Sequence, residues 1–151
     1  MVSRLYSPKD RTRIEMVIGL VCAESKWMDA KSFIPTYQWL HAFSNSNCQM
    51  HALFVAEEND VVIGWCRIFP EKCNIDRNFG ELGIGLLPNY RNQKIGYKLM
   101  ETSFAWALKN GIKQIDLTVN VNNKIAFHLF DKFGFKIAAR QASPFIMSLN
   151  I

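Results

Sequence analysis

The sequence predicts an α+β fold: a single three-layer α/β/α domain with a mixed central sheet of about seven strands and helices on both faces. Three observations predict it. Apolar residues switch repeatedly between alternation and helical spacing, in the order β-α-α-β-β-β-α-β-α-β-β. Strands that follow one another directly in the first half suit antiparallel pairing. Strands linked by helices in the second half suit parallel pairing. The 151 residues contain no repeat, low-complexity tract or linker, so the expected organisation is one domain over 1–151.

Residues 2–6 read as a short first strand. Ser7 then suits a helix N-cap, Pro8 the first helical position, and Asp10 stands three residues after the cap. Ile14, Val17, Ile18, Val21 and Cys22 follow on one helix face. The stretch 27–43 carries Trp27, Phe33, Tyr37, Trp39 and Phe43. Phe33, Tyr37 and Leu40 fit helical spacing, and Pro35 marks either a helix start near it or a break into two pieces. These aromatics serve either as core packing or as the wall of a substrate pocket. A polar loop follows to about residue 49.

Strands over 51–56 and 61–69, joined by Glu57-Glu58-Asn59-Asp60, form a β-hairpin. After a loop over 70–78, residues 80–87 make the central strand. Gly83 and Gly85 weaken it but permit a bulge or a close backbone approach. A helix over 95–110 ends at Asn110-Gly111. Ile115, Leu117, Val119 and Val121 alternate in a strand over 112–121. Ala126, Leu129, Phe130 and Phe133 line a short helix over 122–133 that Gly134 stops. Strands over 135–139 and 145–149 close the order.

The stretch 82–99, LGIGLLPNYRNQKIGYKL, organises the chain. A strand runs through a donor-rich turn into a helix. The first helical N–H groups lack intrahelical partners and the helix dipole is positive there, so the turn suits a phosphate. Arg91 and Lys94 add charge beside it. The run Arg91-Asn92-Gln93-Lys94-Ile95-Gly96 resembles the pyrophosphate loop of the GCN5-related N-acetyltransferases, the GNAT family, written Q/R-x-x-G-x-G/A. Its flanks agree: Glu81-Leu82-Gly83-Ile84 before it, Pro88-x-Tyr90-Arg91 leading in, then Asn123-x-x-Ala126 and Lys132-Phe133-Gly134-Phe135. The resemblance covers residues 50–140 well and the earlier part by order of elements only.

That resemblance implies a GNAT-like acyl-CoA N-acyltransferase fold. It implies transfer of an acetyl group from acetyl-CoA to a primary amine by direct attack. The implied cofactor-binding residues are Leu86 and Leu87 on the central strand, which would pair with pantetheine amides. The loop residues Arg91, Asn92, Gln93, Lys94, Ile95, Gly96 and Tyr97, together with Asn123, complete the set. Asn123 is also a suitable helix N-cap. Glu81 stands where many members carry the group that accepts the amine proton; it otherwise reads as a surface glutamate at a strand start. His51 and Glu57 are weaker candidates for that base.

Two positions depart from the family. Lys94 replaces the middle glycine of the loop. It is strained if its φ is positive and comfortable if the residue is already helical, and the helical reading is preferred. Phe130 stands four residues before Gly134, where many members place a tyrosine that protonates the departing thiolate. Phenylalanine cannot donate. That role is then unneeded, filled by solvent, or moved to Tyr97 or Tyr37.

The net charge of +5 is scattered, with no run of five basic residues, so no nucleic-acid partner is expected. No apolar run approaches the roughly 20 residues of a membrane span. Met1-Val2-Ser3-Arg4 is not followed by a signal-peptide core. A cytoplasmic protein with no membrane partner is expected. Cys22, Cys48, Cys66 and Cys73 form no C-x-x-C pair. His41, His51 and His128 form no H-x-x-x-H pair, so no metal is expected. The expected partner is a small-molecule or peptide amine, and a homodimer is allowed. The rival readings are a coenzyme A-binding module with little turnover, motivated by Lys94 and Phe130, and a nucleic-acid or ribosome-associated binder, motivated only by the charge.

Overall fold

The computed structural model describes residues 1–26, 32–70, 78–140 and 145–151. Trp27, Cys73 and most of the expected loop over 70–78 lie outside the described residues. Among the described residues there are seven strands and four α-helices: β1 Val2–Leu5, α1 Arg11–Ala23, α2 Tyr37–Ser44, β2 Ala52–Glu58, β3 Val61–Phe69, β4 Phe79–Leu86, α3 Ile95–Lys109, β5 Gln114–Val119, α4 Lys124–Phe133, β6 Lys136–Arg140 and β7 Phe145–Asn150. The element order is the expected one. The sheet order is β1-β2-β3-β4-β5-β7-β6.

The pairing corrects one expectation. Among the described residues only β4 and β5 are parallel; β5–β7 and β6–β7 are antiparallel. β7 lies between β5 and β6, so α4 does not join two neighbouring strands.

Local chemistry explains the elements. Arg4 on β1 donates to both Asp10 oxygens, at 2.8 and 3.0 Å, and to Glu57 at 3.1 Å. Asp10 also accepts the Ser7 N–H at 2.9 Å, so a 3₁₀ turn over Pro8–Asp10 precedes α1. The apolar stripe of α1 is buried as its spacing predicts: Ile14, Val17, Ile18, Val21 and Cys22. In α2 a different stripe is buried. Trp39, Ala42 and Phe43 face inward, while Tyr37 is 81% exposed and Leu40 is exposed. Thr36 caps this helix by accepting the Trp39 N–H. That cap sets the rotation: Trp39 turns inward to stack edge-on with Phe33 and Phe69.

The β2–β3 turn is tighter than the four residues expected. The strands continue through Glu58, and Asn59 and Asp60 both take positive φ, at 49° and 62°. Two such residues match the strand twist of a type I′ turn. In β4 the glycines permit close approach rather than a bulge, since its register with β3 is unbroken from Glu81 to Leu86. A β-carbon on Gly85 would collide with the Trp65 ring, and one on Gly83 would meet Arg67 at 2.9 Å.

Two cores flank the sheet. α3 and α4 cover one face with Ile95, Leu99, Met100, Ala107 and Phe130 against Phe54, Ile63, Leu82, Ile115 and Leu117. α1 and α2 cover the other with Ile14, Val17, Trp39 and Phe43 against Leu53, Val55, Trp65 and Phe69. Burying each such side chain contributes about 2 kcal/mol, which holds the helices whatever their intrinsic propensity. Among the described residues no helix is long and apolar enough to cross a membrane.

Candidate active site

The sheet splits between β4 and β5. Their parallel pairing runs from Phe79↔Gln114 to Glu81↔Asp116 and stops, although β4 continues to Leu86 and β5 to Val119. Each strand stays paired on its far side, β4 to β3 as far as Leu86 and β5 to β7 as far as Val119. The orientation of the β4 backbone follows from one bond. Leu87 donates its N–H to the Ile63 carbonyl at 3.0 Å, and antiparallel ladders alternate by two residues. Gly83 and Gly85 therefore face β3, and Ile84 with the Leu86 N–H is left facing the split, the Leu86 carbonyl being taken by Arg91. Leu87 does not present its N–H there, because β3 uses it.

Below the split lies the turn into α3. Pro88–Tyr90 forms a 3₁₀ turn, and Arg91 follows in an extended conformation. The Arg91 guanidinium points into the protein. It donates to both oxygens of Glu24, at 2.9 and 2.6 Å, and twice to the Leu86 carbonyl, at 3.1 and 2.8 Å. It ties the turn to the end of α1 and to the end of β4. Asn92 takes φ 62°, and Gln93 donates its side-chain amide to the Asn89 carbonyl.

Lys94 corrects the sequence reading. Its φ is 64° and its ψ 9°, so it is left-handed and not helical. The family's glycine is absent while its conformation is kept. The backbone turns there into α3, which begins at Ile95. The first α3 bond found runs from Lys98 N–H to the Lys94 carbonyl, so the N–H groups of Ile95, Gly96 and Tyr97 precede it. The first turn of α3 contains no acidic residue, and Lys94 and Lys98 stand at this positive end of the dipole. Cations there are unfavourable until an anion joins them. Gly96 lets the start of α3 pack closely on α4 and β4, because a β-carbon on it would lie 3.3 Å from Leu129 and 3.7 Å from Leu86.

Glu81 occupies the last paired position before the split. Its side chain is 40% exposed, and its carboxylate lies 3.5 Å from the Arg67 guanidinium. Arg67 also donates to the Glu81 carbonyl at 3.4 Å and lies over the rings of Phe69 and Trp39. Burial lowers the Arg67 pKa, against the raising pull of Glu81. Asp116, the register partner of Glu81, accepts from Ser148 and Gln114. Sequence reasoning missed both Arg67 and Asp116. Each was a charged residue inside a strand pattern, and only the fold places them around Glu81.

The other candidates lie elsewhere or are already engaged. Glu57 pairs with Arg4 on the β1 side of the sheet. Asn123 caps α4 by accepting the Ala126 N–H at 3.2 Å. Phe130 is 4% exposed and packs on Phe135. The Tyr97 ring stacks on Phe133, with Lys132 above it. His51 joins His41 and Cys48 in a separate cluster beside α2. Burial, with His41 as neighbour, pushes the His51 pKa down to about 4.

Comparison with known proteins agrees with this geometry. The profile of the Acetyltransferase (GNAT) family matches residues 17–135. An acetyltransferase of the GNAT family from Streptococcus pneumoniae superposes with TM-score 0.85 at 23% identity, over 99% of this chain and 98% of that one. A ribosomal-protein-alanine N-acetyltransferase from Brucella melitensis gives 0.84 at 15% identity, over 100% of both chains. A GNAT superfamily phosphinothricin acetyltransferase from Sinorhizobium meliloti, in complex with acetyl-CoA, gives 0.84 at 16% identity, over 99% of this chain and 88% of that one. With a family profile spanning most of the chain, this protein belongs to the GNAT acetyltransferase family.

Proposed function

We propose that this protein is a cytoplasmic N-acetyltransferase, acting as one domain, that moves the acetyl group of acetyl-CoA to a primary amine by direct transfer. The observation that carries the reading is the position of Glu81 at the apex of the split, with a cationic helix start at the split's other end.

The residues present fit acetyl-CoA. The N–H groups of Ile95, Gly96 and Tyr97, with Lys94, suit a pyrophosphate, and Gly96 lets the start of α3 sit close against Leu129 and Leu86. Asn92 and Gln93 shape that turn. Arg91 acts by holding the loop on Glu24 and Leu86 rather than by touching phosphate. On β4 the backbone groups of Ile84 and the Leu86 N–H suit the amides of the pantetheine arm; the Leu87 N–H, bonded to Ile63, does not offer itself there. Asn123 contributes by fixing the start of α4.

When bound, acetyl-CoA supplies an activated thioester. The chain supplies the rest. Glu81 accepts the proton of the incoming ammonium, directly or through one water, and Arg67 holds its carboxylate in place. An edge N–H of β4 stabilises the developing oxyanion, an interaction worth on the order of 3 kcal/mol. With phenylalanine at 130, solvent returns the proton to the departing thiolate, which a thiol pKa of about 8.5 makes tolerable. The solved relatives named above acetylate acceptors as unlike as phosphinothricin and a ribosomal-protein alanine, so the acceptor here is proposed only as a small-molecule or peptide amine.

A specific observation favours a second reading, a coenzyme A-binding module without turnover: the buried phenylalanine at 130 offers no acid. Two measurements separate the readings. Coenzyme A should raise the melting temperature of the wild type and not of Gly96→Asp. Release of free thiol from acetyl-CoA with a panel of amines then supports transfer. A thermal shift with no amine-dependent thiol release supports the binding module, and no thermal shift removes both.

A further inference from the structure

We propose that His41, Cys48 and His51 form a binding site for a zinc-class divalent cation, with three protein ligands and a fourth position open to solvent. The residues come from three segments: the last turns of α2, the polar loop after it, and the entry to β2. Their ligand atoms all lie within 4.8 Å of one another, and all three residues are partly buried. The His41 and His51 rings stack with centroids 4.4 Å apart, and Cys48 Sγ lies 3.6 Å from His51 Nδ1.

That last distance is the informative one. Zinc holds thiolate sulfur at about 2.3 Å and imidazole nitrogen at about 2.0–2.1 Å, so a tetrahedral angle puts the two ligand atoms about 3.6 Å apart. The remaining pairs close to the same edge length with shifts of about 1 Å, within reach of side-chain rotation. The Met50 N–H donates to Cys48 Sγ at 3.4 Å, an outer partner that orients the sulfur. Phe69 packs against the His51 ring at 5.5 Å and supports its orientation. His41 and Cys48 also border an open hollow of about 500 Å³, with Ser44, Asn45, Ser46 and Asn47, which gives the ion an entry path. On binding, the Cys48 S–H bond breaks. Its electron pair goes to the metal and its proton to the buffer, so no oxidant or reductant is needed. The sequence hides the site because His41 is separated from the Cys48-x-x-His51 pair by a loop that must fold back.

The site is independent of the transferase reading. The ion would pin α2 to the sheet at Phe69, whose register partner is Glu81. The test uses the untagged full chain stripped with a chelator, titrated with Zn²⁺ against a chromophoric indicator, and separately with Co²⁺ in the spectrophotometer. The expected result is one equivalent bound, intense visible bands of tetrahedral Co²⁺ and a near-ultraviolet thiolate-to-metal band. Cys48→Ala and His51→Gln should each weaken Zn²⁺ binding by roughly 10²-fold or more, while His128→Gln should not. Wild-type affinity no greater than that of Cys48→Ala overturns the proposal. So does a wild-type Co²⁺ spectrum without the thiolate band, which decides the matter even if a variant fails to fold.

Discussion

Replacing Lys94 with glycine should push stability and cofactor affinity in opposite directions. Lys94 holds φ 64° with a β-carbon in place. A left-handed non-glycine residue costs roughly 1–2 kcal/mol. Glycine removes that strain but gives the unfolded chain about 0.5–1 kcal/mol of extra freedom. The net gain is then between about 0 and 1.5 kcal/mol. For a domain of this size that raises the melting temperature by up to about 6 °C. The same change removes a cation from the start of α3. One charge contact near 4 Å in a water-like medium is worth about 1 kcal/mol, so coenzyme A should bind about 5-fold more weakly, with a shallower salt dependence. Lys94→Gln separates the effects, because it loses the charge and keeps the β-carbon: its affinity should fall while its melting temperature does not rise. Thermal denaturation of the free protein and calorimetry with coenzyme A read both quantities. A lower melting temperature for Lys94→Gly would refute the strain argument. Unchanged coenzyme A affinity in both variants would show that Lys94 makes no phosphate contact.

Glu81→Gln should keep the coenzyme A thermal shift and lower kcat by roughly 10²-fold, with partial recovery at higher pH where more amine is already neutral. Full activity at neutral pH would take Glu81 out of the mechanism. Arg91→Ala strips the Leu86 carbonyl of its donors and Glu24 of a two-point partner, so a urea titration should show a loss of about 1–3 kcal/mol and coenzyme A should bind less tightly. Phe130→Tyr should lower the melting temperature and leave kcat unchanged, because the ring is buried against Phe135 and the new hydroxyl enters apolar surroundings. A higher kcat would instead place position 130 at the reacting atoms. Burial works against the charge of Asp10, yet the Arg4 hydrogen bonds, the Ser7 N–H and nearby cations outweigh it and hold the carboxyl below its usual value. A folded pKa below the unfolded one adds stability that is fully present above the unfolded pKa, about 3.9, and is lost as the pH falls through the folded pKa. The melting temperature of the wild type should therefore fall more steeply in that acid range than that of Asp10→Asn, which should already melt lower at neutral pH.

The sequence alone determined the kinds of element and their order. Alternation and helical spacing are local consequences of side-chain geometry, so Ile115, Leu117 and Val119, or Ile14, Val17 and Val21, declare their elements without reference to the rest of the chain. The loop at 91–96 declared itself for the same reason: a strand, a turn and a helix start lie within a few residues. Tertiary structure decided whatever depends on which distant segments meet. It inserted β7 between β5 and β6, because strand order is set by return turns and burial rather than by periodicity. It turned Trp39 inward in place of Tyr37, since the Thr36 cap and the Phe69 contact fix the helix rotation. It committed Arg91 to Glu24, 67 residues away in the chain, and gave Lys94 a glycine's conformation because the backbone must bend there whichever residue occupies the site. It also set Arg67 beside Glu81 and His41 beside Cys48 and His51, pairings that spacing could not show because each spans elements whose mutual placement is settled only when the two cores close on the sheet.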